Sequence, residues 1–365
     1  MNTKSNTDQN ASPQRQGPLT DLKVIEVCST IAGPACARLL ADFGADVIKI
    51  EPPDGDPVRQ MGQHVGDVSL YAASILRNKR SIALDLKSEQ GRALAFELMV
   101  QADIVVENNR PGVMERLGLG PEVALARNPR LVYGRMTGWG QSGPLAQAAG
   151  HDLNYVALTG MLSLSAHRGE RPIVPPTVVG DAGGALGLAF GMVCAILEAK
   201  TSGQGRVVDA AIVDIVAMLG GIAQWIRGSG MLDGPHPSPF HDSPFYDVYR
   251  CADGGSITLG ALEPQFYALL LQKLGLDDVD RGRQFDPRTW PALKDRLTAL
   301  FASQPRAHWD ALLEGTDVCF APVLSVAEAA EHPHNVARGT YVHTAGAGLD
   351  VAPAPRFLPL NGKAG

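Results

Sequence analysis

The chain has 365 residues, of which 45% are apolar and 19% charged, so it can bury a sizeable core and is long enough for two domains. Its formal charge of −6 at pH 7 is not gathered into blocks, which argues against an extended basic surface and a nucleic-acid partner. The five cysteines are odd in number and lack CxxC spacing, which indicates neither a disulfide framework nor a zinc site.

The first 18 residues are polar and contain no apolar run, a composition typical of a disordered leader and unlike a secretion signal. We therefore expect a cytoplasmic protein. The most apolar run, 182–197, has 16 residues and four glycines, which is shorter than the span of about 20 residues that a membrane helix needs. This run predicts a buried helix with close packing at its glycines, and no membrane association.

Strand and helix patterns alternate along the first part of the chain. LKVIEV (22–27) is typical of a buried parallel strand, and the helical spacing that follows has Pro34 in its first turn. Further strands are predicted within 45–53, 81–86, 102–109 and 131–138, with a helix over 89–101. The alternation predicts a large Rossmann-like α/β domain with an open, parallel sheet and ligands at the carboxyl ends of its strands. The first turn, CSTIAGP, lacks GxGxxG, which argues against a nicotinamide dehydrogenase.

The composition changes in the second half of the chain. A long helix is predicted over 210–226, followed by a loop rich in Pro, His and Gly over 228–245, and this change marks a boundary near residue 225. A hairpin around 252–255 and helices through about residue 316 predict a smaller α+β domain. The predicted organisation is a leader (1–18), a large α/β domain (19–225), a small α+β domain (226–325) and a C-terminal segment (326–365).

His151 and Asp181 form the candidate catalytic pair. His151 lies in AGHDLNY and Asp181 in VVGDAGG, each next to a glycine in an otherwise apolar context. A histidine and a carboxylate are the groups that an enzyme needs to move one proton between two faces of a carbon. A histidine in an apolar stretch is more often a hydrogen-bonded core residue, so the pair alone leaves both interpretations open.

The segments around this pair resemble one family. AGHDLNYVALTG, preceded by MTGWGQSGP and followed by GDAGGALGL, resembles the 2-methylacyl-CoA racemases of the family III CoA-transferase (CaiB/BaiF) superfamily. GPACARLLADFGADVIKIE, GDPVR, NKRSIALDLK and ENNRPGVMERLGLG resemble the motifs that line the CoA site throughout that superfamily. The resemblance runs from about Leu19 to Phe357 and implies an acyl-CoA substrate.

The resemblance also implies roles for individual residues. In the racemases, the matching His and Asp transfer the proton and a matching Glu supports the His, which implies catalytic roles for His151 and Asp181 and an orienting role for Glu263. A carboxylate favoured by the helix dipole is the alternative interpretation of Glu263. Because CoA phosphates need cations, the resemblance implies a substrate-binding set of Arg38, Arg59, Lys79, Arg80, Arg110, Gly150, Asp152 and Tyr155. For each cation taken singly, a solvated surface charge is an equally good interpretation.

Further expectations come from the resemblance alone. Racemisation through an enolate requires no cofactor beyond the CoA that the substrate carries, and no metal. The family forms interlocked dimers with active sites at the domain interface, so we expect a homodimer. The extended segments DVCFAPVLS and VAPAPRF are expected to return to the large domain, as they do in the family.

Two other functions stay open. In a CoA-transferase, Asp181 would act as a nucleophile through an acyl anhydride and then an aspartyl-CoA thioester. Transferases resembling formyl-CoA transferase lack the His of GHDLNY and carry Gln where this chain has Ile31, which favours the racemase. The first 120 residues suit both activities. A non-catalytic CoA-binding protein is the third hypothesis, and the joint presence of His151, Asp181 and Glu263 argues against it.

The acyl chain is left open by the sequence. The loop GPHPSPFHDSPFYDVY departs from the GGAPYYDTY form of the racemases. His236 and His241 in this loop could reshape the acyl pocket, or could simply be exposed to solvent.

Overall fold

The structure, a computed structural model, describes residues 17–167, 169–344 and 348–358. The predicted leader therefore lies outside the described residues, apart from its last two positions. The described chain forms two compact units: one takes in the residues up to Thr159, Pro175–Met218 and those from Gly339 onward, and the other takes in Gly160–Val174 and Leu219–Arg338. The division thus falls at 218/219 rather than near 225. In addition, 160–174 joins the second unit, where Leu164 O accepts a hydrogen bond from His241 Nε2 at 2.9 Å.

The elements follow the alternation that the sequence predicts. The strands are β1 (Lys23–Val27), β2 (Asp46–Glu51), β3 (His64–Val65), β4 (Val68–Ser69), β5 (Lys79–Ala83), β6 (Ile104–Glu107), β7 (Val132–Thr137), β8 (Val207–Ala211), β9 (Tyr246–Arg250), β10 (Ser256–Gly260), β11 (Phe320–Val323), β12 (Tyr341–Thr344) and β13 (Gly348–Val351). The α-helices are α1 (Ala32–Asp42), α2 (Leu70–Ile75), α3 (Glu89–Val100), α4 (Val113–Arg116), α5 (Pro121–Arg127), α6 (Asp152–Leu158), α7 (Gly183–Ser202), α8 (Ile212–Leu219), α9 (Gly221–Gly228), α10 (Pro264–Lys273), α11 (Trp290–Phe301), α12 (Arg306–Leu313), α13 (Val326–Glu331) and α14 (Pro333–Arg338).

The first unit is built on a six-stranded sheet in the order β5-β2-β1-β6-β7-β8, and every neighbouring pair in it is parallel. All five predicted strands are confirmed. The chain runs from β1 outward to β5 on one side and then returns to β6 and β8 on the other. The carboxyl ends of β1 and β6 therefore form a topological switch point, where open α/β sheets bind their ligands.

The predicted long helix over 210–226 is wrong. Its first two residues pair with Met136 and Thr137 as the end of β8, a strand that the sequence did not reveal. The rest divides at Gly220 into α8 and α9. Apolar β-branched residues fit both a strand and a helix, so only pairing with β7 decides between the two.

The apolar run around 182–197 forms α7, which is longer than predicted and packs on the sheet. At Gly134 of β7, a Cβ would lie 2.7 Å from Met192 Sδ of α7, so glycine permits this close approach. The prediction of a buried helix holds for one face only, because Leu186, Phe190 and Leu197 are between 57% and 69% exposed. By length and composition alone, the segment Val178–Ser202 could cross a membrane, although part of it is buried inside the molecule.

The second unit contains a three-stranded sheet in the order β11-β10-β9. The predicted hairpin is confirmed, since β9 and β10 pair antiparallel, and Phe245, Ile257, Leu270 and Phe301 are completely buried in the core beside it. DVCFAPVLS does not return to the large domain, because β11 pairs with β10. The C-terminal segment predicted over 326–365 returns only in part, because 326–338 belongs to the second unit. The described residues from Gly339 onward belong to the first unit, where the rings of Phe357 and Phe43 meet edge-on at 5.5 Å.

Candidate active site

His151 is the residue immediately before α6. Its backbone N–H donates to Asn154 Oδ1 at 3.0 Å, and its carbonyl oxygen accepts from the Asn154 N–H at 2.8 Å. The side chain of His151 is exposed. Asn154 therefore holds the backbone that presents the imidazole to solvent. Asn154 was not among the predicted site residues, although a polar residue three positions into a helix is a recognisable capping pattern.

Asp181 lies in a π-helical turn, Val178–Ala182, which leads into α7. Thr177, the residue immediately before this turn, has a left-handed backbone with φ of 63°. Such turns are rare and occur frequently at functional sites. The side chain of Asp181 is almost buried, with 9% of its residue surface exposed. Within the described ranges its carboxyl group accepts no hydrogen bond, so no donor among those residues stabilises its charged form.

Asp152 connects these two segments. It is 7% exposed, and its Oδ1 accepts a hydrogen bond from the Asp181 N–H at 2.8 Å. A Cβ at Gly180 would lie 2.2 Å from the same oxygen, so only glycine allows this contact. Asp152 thus fixes the backbone of Asp181, and its predicted contact with CoA stays a prediction.

The surroundings of Asp181 make its carboxyl group an unusually weak acid. Burial and the neighbouring negative charge of Asp152 raise its pKa to about 6, while His151 acts in the opposite direction. His151 therefore lies close enough to Asp181 for their charges to interact. A carboxylic acid that titrates near neutrality can both donate and accept a proton at physiological pH.

Gly150 and Tyr155 pack behind His151. The Tyr155 hydroxyl donates to the Gly150 carbonyl, and its ring meets Trp139 edge-on at 4.7 Å. A Cβ at Gly150 would lie 2.8 Å from both rings. These contacts give Gly150 and Tyr155 a structural role next to His151, and their predicted contact with substrate stays a prediction.

Glu263 belongs to the second unit, where it precedes α10 and is exposed to solvent. Its position at the helix start agrees with the alternative interpretation, a carboxylate favoured by the helix dipole. Burial and the charge of Glu263 together raise the pKa of the Cys319 thiol nearby. The predicted support of His151 stays a prediction.

Three of the five candidate cations are accessible. Arg59 pairs with Glu51 at 2.5 Å and Arg80 pairs with Asp46 at 2.6 Å, yet their side chains are 46% and 57% exposed. Arg110 is exposed and makes no side-chain hydrogen bond or ion pair with the described residues. These three side chains can reach phosphates in solvent.

The other two candidate cations are engaged inside the first unit. The Lys79 side chain is completely buried, and its Nζ lies 2.7 Å from Glu26 Oε2 and donates to Pro34 O at 2.8 Å. Arg38 pairs with Asp350 at 2.9 Å and is 15% exposed. The structure therefore gives no support to direct CoA contact by Lys79, because its ammonium faces the interior. The sequence could not distinguish a buried lysine from an exposed one in RNKRSIALDL.

Tyr71 is a further residue near Asp181 that was not predicted from the sequence. Its hydroxyl donates to Thr30 O at 3.3 Å, and burial together with the charge of Asp181 raises its pKa. Tyr71 therefore belongs to the surroundings of Asp181, although no motif in the sequence marks it.

The loop 234–249, which carries His236 and His241, lines a cavity in the second unit. His241 donates through Nε2 to Leu164 O and its own carbonyl accepts from His167 Nδ1 at 2.6 Å, so His241 ties the loop to 160–174 and is not a free surface residue. His236 is exposed. The cavity measures about 690 Å³, and its lining includes His167, His241, Tyr246 and Cys319. Among the residues that the structure describes, no group of three or more His, Cys, Asp and Glu could hold a metal ion.

Comparison with known proteins tests the family resemblance over the whole chain. A family model described as CoA-transferase family III matches residues 19–363. The chain is 39% identical over 354 residues to alpha-methylacyl-CoA racemase of Homo sapiens, which covers 94% of this chain and 87% of that protein. It is 33% identical over 347 residues to acetyl-CoA:oxalate CoA-transferase of Acetobacter aceti, which covers 91% of this chain and 87% of that protein.

A solved structure agrees with the sequence relatives. The crystal structure of a CaiB/BaiF family protein from Brucella suis matches with a TM-score of 0.81 at 28% identity, covering 94% of this chain and 93% of that one. The resemblance inferred from the motifs is therefore confirmed in both sequence and fold.

Proposed function

We propose that this chain, which belongs to CoA-transferase family III, is an acyl-CoA racemase that inverts the α carbon of a 2-methylacyl-CoA by 1,1-proton transfer. The greater identity to a racemase than to a transferase, 39% against 33%, supports this choice within the family. The observation that carries the proposal is the nearly buried Asp181, whose carboxyl group accepts no hydrogen bond from the described residues and interacts electrostatically with His151.

The chemistry follows from the acidity of a carbon next to a thioester. One member of the pair removes the α proton, and the C–H electron pair becomes an enolate delocalised onto the carbonyl oxygen. The other member then delivers its own proton to the opposite face. The pair holds one proton in total, as imidazole with carboxylic acid or as imidazolium with carboxylate, and one turnover converts the first state into the second. Protons balance within the pair, so the step needs no further reactant.

The state of Asp181 decides whether this cycle can run. An ordinary aspartate titrates near 3.9 and histidine near 6.5, so in an unperturbed pair the carboxylic acid form would be scarce at neutral pH. The raised pKa of Asp181 keeps part of its carboxyl group protonated near neutral pH, which is the state that can deliver a proton to the enolate. Asp152 has two effects on Asp181. Its negative charge raises the pKa of the Asp181 carboxyl group, and its Oδ1 accepts a hydrogen bond from the Asp181 N–H.

The remaining roles complete the proposal. Arg59, Arg80 and Arg110 are proposed to bind the CoA phosphates, because their side chains are accessible, and Glu263 keeps its proposed supporting role. The proposed partner is a second copy of this chain in the cytoplasm. The exposed apolar side chains of α7, which include Leu186, Phe190 and Leu197, supply the kind of surface that subunit association buries.

The decisive experiment uses one enantiomer of a 2-methylacyl-CoA with the full-length protein in deuterated water. Loss of optical purity together with deuterium entry at the α carbon would establish the racemase. Both should be abolished in Asp181→Ala and severely reduced in His151→Ala.

The same experiment tests the transferase hypothesis. If no α exchange occurs across several acyl chains, and CoA instead passes to an added carboxylate acceptor, the racemase proposal fails. Asp181 would then be the nucleophile. Asp181→Ala would abolish that transfer as well, so the reaction product and not the variant distinguishes the two functions.

A further inference from the structure

The turn between β1 and α1 lies at the switch point of the sheet. Side chains from other segments donate hydrogen bonds to carbonyl groups of this turn and of the first turn of α1. Lys49 donates to Cys28 O at 2.6 Å, and Lys79 donates to Pro34 O at 2.8 Å. Ser29 is bound on both sides by Asn108, which donates to its carbonyl at 2.7 Å and accepts from its N–H at 2.9 Å. A buried lysine therefore fixes the start of the turn, an amide fixes the next residue, and a second buried lysine fixes the first turn of α1.

The two lysines belong to one buried ionic network. Their side chains are completely buried, and they share Glu26: Lys49 Nζ lies 2.9 Å from Oε1 and Lys79 Nζ lies 2.7 Å from Oε2. Lys49 also pairs with Asp56 at 2.8 Å. Two cations and two carboxylates thus neutralise each other inside the fold. Burying such ions carries a large desolvation penalty, and apolar residues of similar size often replace them without loss of stability.

Asp56 extends the network to a second segment of the proposed CoA site. Its side chain accepts from the Val58 N–H at 3.0 Å and so caps the 3-10 turn Pro57–Gln60, which carries Arg59. Its own N–H donates to Glu51 Oε2 at 2.9 Å, the carboxylate that holds Arg59. The same network therefore anchors the β1–α1 turn and the loop that follows β2.

We propose that Lys49, Glu26 and Lys79 are positioning residues of the CoA site, which hold the β1–α1 turn and the Arg59 loop in the geometry that binds CoA. Lys79 acts through the carbonyl of Pro34 and does not contact the CoA phosphates. This inference rests on the CoA binding assumed in the proposed function, and it replaces the direct contact that the sequence suggested for Lys79.

Positioning and direct contact both affect CoA binding, and they differ in their sensitivity to salt. A lost positioning residue weakens the binding of CoA in the substrate and transition state alike, so KM rises and kcat stays nearly unchanged. A lost phosphate contact would also be sensitive to salt, because exposed charge pairs are screened over about 10 Å at 0.1 M ionic strength. A backbone displaced by the loss of a buried lysine has no such salt dependence.

The test is calorimetric titration of the full-length Lys79→Met variant with free CoA. We expect CoA to bind about tenfold more weakly and kcat at saturating acyl-CoA to stay within about twofold of the wild type. The ratio of variant to wild-type Kd should be the same from about 50 to about 300 mM salt. A ratio that falls steadily with salt would show direct phosphate contact, and an unchanged Kd would show that the turn does not depend on Lys79. Either result overturns the proposal.

A matched control removes side-chain bonds to backbone carbonyls at the opposite edge of the same sheet. Asn128 Nδ2 donates to Val100 O and Ala102 O at 3.1 and 3.2 Å, near the amino ends of β6 and β7. Asn128→Ala should lower thermal stability and leave the Kd for CoA unchanged. If both variants weaken CoA binding equally, the effect is general loss of stability and the proposal fails.

An unpaired buried charge can prevent a variant from folding. A second variant therefore provides an independent test. Glu26→Gln with Lys79→Met removes one charge of each sign, leaves Lys49 paired with Asp56 and still frees Pro34 O. It should fold and show the same weakened CoA binding. If neither variant folds, the network is an element of stability and not of positioning. Because free CoA is the probe, a wild type that binds CoA but does not racemise would refute the proposed function alone.

Discussion

Two carboxyl groups of the first unit occupy similar depths and behave in opposite ways. Glu51 is 4% exposed and Asp181 is 9% exposed. Burial disfavours the charge of Glu51, yet hydrogen bonds from Arg59, Ser81 and the Asp56 backbone outweigh it and lower its pKa to about 2. Asp181 receives no hydrogen bond on its carboxyl group from the described residues, so burial and Asp152 raise its pKa to about 6. Hydrogen-bond donors, more than depth, decide which carboxylate is free for chemistry.

The largest expected effect follows from removing the unpaired carboxyl group. Asp181→Asn keeps the size and the backbone bond to Asp152 but cannot exchange a proton, so α-deuteration of a 2-methylacyl-CoA should fall by about a thousandfold or more. The measurement is mass spectrometry of the recovered thioester. Glu51→Gln, in contrast, should leave kcat within about tenfold of the wild type, since Glu51 acts on the Arg59 loop. Equal losses in kcat would abolish the distinction between the two carboxyl groups.

The next effect tests whether the geometry around Asp181 matters as much as its chemistry. A Cβ in Gly180→Ala would collide with Asp152 Oδ1, which should displace the Asp181 backbone and lower kcat by about a hundredfold. Gly228 has open space around its Cβ position, so Gly228→Ala serves as the control and should retain activity. Steady-state kinetics of both variants would settle the point, and an active Gly180→Ala enzyme would contradict it.

A smaller effect concerns stability and has a defined sign with pH. The pKa of Asp181 rises from 3.8 to about 6 on folding, so its protonated form contributes stability below pH 4 and that contribution is lost as the pH rises through 6. Asp181→Asn should therefore raise the free energy of unfolding by about 2 kcal/mol at pH 8 and by almost nothing at pH 4. Urea titrations at the two pH values would measure this.

Glu51 gives the mirror image of that pH dependence. Its lowered pKa contributes stability above pH 4.5 that is lost as the pH falls toward 2. Glu51→Gln should thus destabilise the protein at pH 8 and much less near pH 2. A stabilising Glu51→Gln or a destabilising Asp181→Asn at pH 8 would contradict the contrast.

The smallest effect isolates the charge of Asp152 from its hydrogen bond. In Asp152→Asn the side-chain oxygen can still accept from the Asp181 N–H, while the negative charge that raises the pKa of Asp181 is gone. We expect the pKa of Asp181 to fall and the pH dependence of kcat to move to lower pH, with activity retained. NMR titration of carbon-labelled aspartate, compared with Asp181→Asn for assignment, would detect the shift. An unchanged titration would show that burial alone raises the pKa.

Much of the architecture was predictable from local patterns. Short, largely apolar segments such as 22–27 and 131–138 are typical of strands buried in a parallel sheet, and the five strands predicted in this way are present. β8 was not predicted because its apolar residues continue directly into α8, and a short apolar run fits a strand and a helix equally well. The segment 160–174 escaped because its membership of the second unit depends on contacts with residues some 75 positions later in the chain, such as the bond between His241 and Leu164.

The sequence by itself determined the family, the α/β class and the candidate pair, because His151, Asp181 and their glycine neighbours stand in recognisable motifs. Only the tertiary structure decided what each charge does. Lys79 and Arg80 are adjacent in sequence, yet one is buried against Glu26 and the other pairs with Asp46 in solvent. Successive side chains of a strand point to opposite faces, and the acidity of a buried group depends on which donors the fold brings to it.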